Sequence, residues 1–219
     1  MGISDISKIE GLERLTDLAT LDLSDNDITE IKGLEKLANL EILDLRNNQI
    51  TKITGLEKLT NLRYLYLNDN HISEITGLEK LTNLRYLHLN DNQIVEITGL
   101  DTLSSLGNLE LARNEITTIS GLDNLINLNY LGLEINKIKE ISGLDNLRKL
   151  FSLILYHNQI SELKGLEHLE KLRSVELGEN CIPFEVFKQV GIKNPYSSRP
   201  ENEYLIDIKK VVEYCRKNL

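Results

Sequence analysis

Leucine, isoleucine, asparagine and glycine recur on a fixed 22-residue grid. In one period Leu84, Leu87 and Leu89 are followed by Asn92, Ile94, Ile97 and Gly99-Leu100. One step back, Leu62, Leu65, Leu67, Asn70, Ile72, Ile75 and Gly77-Leu78 fill the same slots; one step forward, Leu106, Leu109, Leu111, Asn114, Ile116, Ile119 and Gly121-Leu122 do. A unit this short cannot bury its apolar face alone, so a period in this range implies units stacked into a solenoid with one continuous core.

The polar slots between the apolar ones give each unit its elements. Pairs such as Leu21/Leu23, Leu43/Leu45 and Val175/Leu177 alternate with period two, which predicts a half-buried strand in every unit and a parallel sheet along one side of the stack. The asparagines Asn26, Asn48, Asn70, Asn92, Asn114, Asn136, Asn158 and Asn180 close each strand. Turned inward, their amides would satisfy backbone groups otherwise buried unpaired. Glycine precedes leucine at Gly11, Gly33, Gly55, Gly77, Gly99, Gly121, Gly143 and Gly165, eight of 13 glycines at one slot, so one backbone geometry repeats there, left-handed or tightly packed. Return segments such as Leu78-Glu79-Lys80-Leu81-Thr82-Asn83-Leu84 space leucines three apart, predicting short helical turns on the convex face. The pairs Glu35-Lys36, Glu57-Lys58 and Glu79-Lys80 repeat there without variation, as a solvated face does.

The two ends break the grid differently. Ile6, Ile9 and Gly11-Leu12 are in phase with Ile28, Ile31 and Gly33-Leu34, so the chain starts on a half-repeat. After Asn180 the period stops. Pro183 to Val190 reads as a short helix with proline in its first turn and Gly191 past its end. Asn194-Pro195 and Arg199-Pro200 mark bends, and a second helix from about Glu201 lines up Leu205, Ile208, Val211 or Val212, Cys215 and Leu219. The expected organisation is an array over 1–183, a half-repeat plus about eight repeats, and a C-terminal helical cap over 184–219 that covers the last repeat.

The run leucine-x-x-leucine-x-leucine-x-x-asparagine, with its isoleucine-x-x-isoleucine-x-glycine-leucine continuation, resembles the leucine-rich repeat family over roughly residues 1 to 183. The 22-residue form is similar to the repeats of a regulatory subunit of type-1 protein phosphatase and of bacterial internalins. The resemblance implies an α/β horseshoe solenoid with the parallel sheet on the concave face and helical turns on the convex face. It implies protein binding on the concave side, and two specific alternatives: a phosphatase-type regulatory subunit or an internalin-like surface adhesin. By that resemblance acidic and aromatic residues of the sheet hold the partner, and Asp44, Tyr64, Tyr66, Tyr86, Glu110, Tyr130 and Glu134 stand in such places.

Charge sharpens the expected partner. Of 25 Lys/Arg and 34 Asp/Glu, seven and five lie after Asn180, leaving the repeats 18 basic and 29 acidic residues, a net of −11. Such an array repels phosphate, so nucleic acid and anionic membrane are not expected partners, and a basic protein surface is. No apolar run approaches the roughly 18 residues of a membrane span, and Met1-Gly2-Ile3-Ser4-Asp5-Ile6 has neither the basic start nor the apolar centre of a signal peptide. With two cysteines, Cys181 and Cys215, and no Asn-x-Ser/Thr acceptor, the expected setting is cytoplasmic and the expected state a monomer; a Cys181–Cys215 bridge would belong to a secreted setting.

Chemistry is sparse. His88 and His157 both point from the sheet but stand three repeats apart, about 14 Å at roughly 4.8 Å per strand, too far to share a metal. No HExxH, CxxC, phosphate-binding glycine loop or serine elbow occurs. The expectation is a non-enzyme with no cofactor and no metal.

Specificity then rests where the repeats differ, on the outward strand positions. Tyr64, Tyr66, Tyr86, Tyr130 and Tyr156 fall there, with His88, Ile42, Ile154 and Phe151, and with acids at Asp44, Glu110 and Glu134. The framework needs no aromatics on that face, and an aromatic strip rimmed by acids suits a protein partner. Gly107, Ala112 and Gly132 carry little side chain around Tyr130, which predicts a dent there, with its flanking tyrosines as anchors.

Overall fold

The computed structural model describes residues 2–190 and 208–218. Eight three-residue strands run in parallel and in chain order: β1 (Thr20–Asp22), β2 (Ile42–Asp44), β3 (Tyr64–Tyr66), β4 (Tyr86–His88), β5 (Asn108–Glu110), β6 (Tyr130–Gly132), β7 (Ser152–Ile154) and β8 (Ser174–Glu176). Each residue pairs with its counterpart one repeat on, as Leu65 does with Leu87. Register is thus the sequence period itself. The central residue of β2 to β8 is buried in the core, with Leu21 of β1 half-buried against it, and from Ile28 to Leu155 nearly every grid leucine and isoleucine is fully buried.

The asparagine ladder is built as its spacing predicts. Asn92 Nδ2 donates to the carbonyls of Leu67, Leu89 and Asn90 at 2.9, 3.1 and 3.1 Å, and its Oδ1 accepts from the Ile72 N–H at 2.9 Å. One side chain therefore closes its own turn and ties it to the turn before. Asn48, Asn70, Asn114, Asn136 and Asn158 repeat the pattern while buried. Asn26 and Asn180, at the ends, are half-buried. A second ladder runs along the return side, where the amides of Asn39, Asn61 and Asn83 donate to the carbonyls of Thr16, Ala38 and Thr60.

The repeated glycine has a steric reason. Gly77 has φ +75°, and a Cβ there would overlap the Ile53 carbonyl oxygen of the preceding turn. Side chains other than hydrogen are excluded by backbone from one repeat below.

The convex returns are tighter than the expected helical turns. Apart from a 3₁₀ turn at Leu12–Arg14, a return consists of two successive i→i+3 turns, such as Leu81 N–H to Leu78 O and Leu84 N–H to Leu81 O, both 2.9 Å. Seven residues from Leu78 to Leu84 must span the whole face, which leaves no length for a regular helix.

The N-terminal half-repeat seats Ile6 fully in the core. Its 3₁₀ turn, Ile6–Lys8, is capped by the Asp5 carboxylate accepting from the Ser7 N–H at 3.1 Å. At the other end α1 (Phe184–Gln189) follows Pro183, which sits at the N-cap, and α2 (Ile208–Lys217) comes later in the chain. Phe187, Val190, Val211, Val212 and Cys215 are buried. Two side chains of α2 pin it to the last turns: Cys215 Sγ lies 3.6 Å from Leu163 O, and Arg216 Nε donates to Glu167 O at 3.1 Å. The predicted bends at Asn194-Pro195 and Arg199-Pro200, and the helix positions Gly191, Glu201, Leu205 and Leu219, lie outside the described residues. Cys181 is exposed and Cys215 buried, both free thiols. Among the described residues no helix is long and apolar enough to cross a membrane.

Candidate functional site

The register stacks like slots on adjacent strands, so side chains of the same type meet. Tyr64 and Tyr86 stack with ring centroids 4.7 Å apart and planes 14° from parallel. Tyr66 and His88 meet edge to face at 5.0 Å. Tyr86 remains 38% exposed, so this four-ring cluster offers a solvent-facing aromatic surface. His88 is oriented by polar neighbours: Nε2 lies 3.1 Å from Asn108 Oδ1, and Nδ1 lies 3.7 Å from Glu110 Oε2. Glu110 Oε2 also accepts from Asn90 Nδ2 at 2.7 Å.

Asp44 is engaged otherwise. It is buried and chelated by Arg46, with Nη2 at 2.6 Å and Nε at 2.9 Å, and that guanidinium lies 5.6 Å from the centre of the Tyr66 ring. Arg46 lies two residues past the end of β2, and the alternation that carries through the buried Leu45 turns it to the same face as Asp44, so this acid is neutralised within its own turn. What this turn presents outward is the half-exposed Arg46 side chain, not a free carboxylate.

A recess of about 890 Å³ opens between Tyr86 and Tyr130, over Gly107 and Asn108, with Arg63 and Arg85 on its walls. The predicted dent therefore exists on the Gly107 side, and its placement at Gly132 and Ala112 is corrected. Both are buried, and a Cβ on Gly132 would stand 3.2 Å from Tyr130 Cε1 and 3.3 Å from Glu134 Oε2. Tyr130 lies along its strand over Gly132 and fills the space the glycine leaves. Burial pushes the Tyr130 phenol up to about 12. Burial also raises the Glu134 carboxyl, whose Oε2 is buried with no hydrogen-bond partner. Glu110 and Glu176 add like charge beside it.

Toward the C-terminal end Ile154 is half-buried beside the exposed Phe151. Tyr156 and His157 converge on Glu179: His157 Nδ1 is 2.8 Å from its Oε2, and hydrogen bonds from Tyr156 and His157 hold the Glu179 carboxyl below its usual range. The sequence-predicted residues thus form three groups along one sheet: Tyr64, Tyr66, Tyr86, His88 and Glu110; Tyr130, Gly132 and Glu134; Ile154 and Tyr156.

One constellation was not foreseen. Donor atoms of Asp145, Glu167 and His168 lie within 4.8 Å of one another on the return side of the last turns. The 22-residue spacing of Asp145 and Glu167, with a histidine adjoining the second, is the signal that could have found it. The acids of the same slot in earlier repeats, Glu57 and Glu79, are exposed, whereas Glu167 is 8% exposed where α2 packs.

Comparison with known proteins adds a family-level result. The family described as leucine-rich repeats (2 copies) matches residues 16–58 and 60–102. No curated protein matches the chain. Among solved structures it is similar to an internalin, inlF, of Listeria monocytogenes, with 37% identity, TM-score 0.73 and coverage of 78% of this chain and 51% of that one. It is also similar to internalin C2 of the same organism, with 36% identity, TM-score 0.75 and coverage of 83% and 80%. TLR13, solved in complex with ssRNA13, aligns at 28% identity with TM-score 0.74 over 85% of this chain and 29% of that one. The chain therefore spans about half the length of the first internalin.

Proposed function

The chain belongs to the leucine-rich repeat family, and from that premise we propose that it is a non-catalytic scaffold that binds a protein partner on its concave face. The observation that carries this reading is the Tyr64, Tyr66, Tyr86 and His88 cluster, aromatic area turned to solvent where the core below is already complete. Aromatic anchors beside a recess are the residues on which interface affinity concentrates. The carboxylates of Glu110 and Glu176 share the lane of Tyr66 and His88, and Glu134 follows two residues after Gly132 of that lane with both acids beside it, so the partner presents a basic group there. Inserting a cation beside the unpartnered Glu134 oxygen would supply the hydrogen bond it lacks. The repeats' net negative charge favours such a partner and disfavours nucleic acid, and the proposed setting is the cytoplasm.

Cross-linked capture from native extract, with a Tyr64→Ala/Tyr86→Ala chain as control, tests the reading. A partner retained by the wild type and lost by the control supports it; equal capture by both refutes it.

The internalin neighbours favour a second reading, an internalin-like surface adhesin. Finding the native protein on the outside of its cell would support that reading over the cytoplasmic one. The phosphatase-type regulator is decided by a direct binding assay with purified type-1 phosphatase.

A further inference from the structure

We propose that Asp145, Glu167 and His168 form a binding site for a divalent transition ion of the zinc class. The inference concerns the return side of the last turns and does not depend on the concave-face reading.

Three observations carry it. First, one donor atom from each residue falls within 4.8 Å of the others, and His168 Nε2 is already 3.9 Å from Asp145 Oδ1. Ligands around a tetrahedral ion with bonds of about 2.1 Å stand roughly 3.4 Å apart, so contractions of about 0.5 to 1.4 Å complete the set. The side chains of Asp145 and His168 are 71% and 56% exposed and free to make those shifts. Second, Glu167 is more than nine-tenths buried, and its Oε2 has no hydrogen-bond partner. A buried carboxylate oxygen left without a partner is costly, and an ion shared with Asp145 and His168 would neutralise the group. Third, the donors are mixed. One imidazole nitrogen with two carboxylates suits zinc or a similar ion, whereas calcium and magnesium take six or more oxygens.

The site ties parts of the fold that are distant in sequence. Asp145 belongs to one turn and Glu167 and His168 to the next, while Arg216 of α2 donates to the Glu167 carbonyl. Metal binding would therefore brace the last turns together where α2 docks, and the remaining coordination position would go to water.

The test is zinc titration of the full chain by calorimetry, with calcium and magnesium as comparison ions and melting temperature as a second readout. The expected result is one zinc ion per chain, a raised melting temperature, and no comparable response to calcium or magnesium. His168→Asn and Asp145→Asn, both at exposed positions, should keep the wild-type circular dichroism spectrum. Each should weaken zinc binding by about tenfold or more, the scale on which even supporting groups of a metal site act, and each should lose the thermal shift. Absence of zinc binding by the wild type overturns the proposal. So does binding that both variants retain at full strength, since it would then come from other histidines.

Discussion

The buried grid and the outward strand positions are made by the same 22-residue unit, yet they behave oppositely from turn to turn. On the grid nearly every turn repeats leucine, isoleucine, asparagine and glycine, because each side chain meets its counterpart one repeat away. Asn92 completes the turn before it, and Gly77 makes room for the carbonyl of Ile53. Outward positions meet solvent and their strand neighbours only, and there the turns diverge into stacked tyrosines, an acidic lane and a polar recess. The grid carries stability and the divergence carries information.

If that division holds, changes to the grid and its closure should act on folding. The largest effect should come from ending the chain after Pro183. This removes Phe187, Val190, Val211, Val212 and Cys215 from the core and uncovers the last turns, and a solenoid end left open aggregates or frays. Size-exclusion chromatography and thermal melts should show aggregation or loss of a single cooperative transition. A monomeric fragment with unchanged melting would mean the helices are not a cap.

Asn92→Leu comes next. It strands the Ile72 N–H and up to three carbonyls in the interior. At about 1–3 kcal/mol for each buried group left without a partner, the loss should be at least about 3 kcal/mol in denaturant unfolding. A loss below about 0.5 kcal/mol would remove the ladder from the account.

A smaller change should run in the opposite direction. The residue before each ladder asparagine is left-handed, with φ between 52° and 56°, and in one turn that slot holds the β-branched Ile135 at φ 55°. Left-handed backbone costs an ordinary L-residue about 1–2 kcal/mol, and asparagine tolerates it better. Ile135→Asn should therefore stabilise the chain by about 1 kcal/mol, visible as a raised melting temperature. An unchanged or lowered value would show that contacts of the isoleucine outweigh the strain.

These cases also show what could be read from the chain beforehand. The solenoid, the parallel register and the ladder were legible because they depend only on period, and a fixed spacing of leucines and asparagines leaves one way to stack. The outward placement of Tyr64, Tyr66, Tyr86 and His88 followed from alternation along a strand. The same rule could have revealed the chelation of Asp44 by Arg46, two residues apart on one face. What period cannot supply is the direction a side chain takes once it leaves the sheet. Tyr130 lies over Gly132 and moves the dent to Gly107. Nor could it show that α2, outside the repeat pattern, packs beside Glu167 while the equivalent Glu57 and Glu79 stay in solvent.

The concave face is tested most directly by comparing partner capture across four chains: wild type, Tyr64→Ala/Tyr86→Ala, Gly107→Arg and Lys80→Glu. Gly107 tolerates a Cβ, whose nearest neighbour would be 3.7 Å away, so an arginine there fills the recess without straining the sheet. Lys80 lies on the exposed convex return. Removing two central aromatic anchors should cost at least roughly thirtyfold in affinity, about 2 kcal/mol. Gly107→Arg should also abolish capture, and Lys80→Glu should leave it intact, with all four chains melting within a few degrees of one another. Loss of capture with Lys80→Glu, and its retention in both concave variants, would place the binding surface on the convex side and contradict the account.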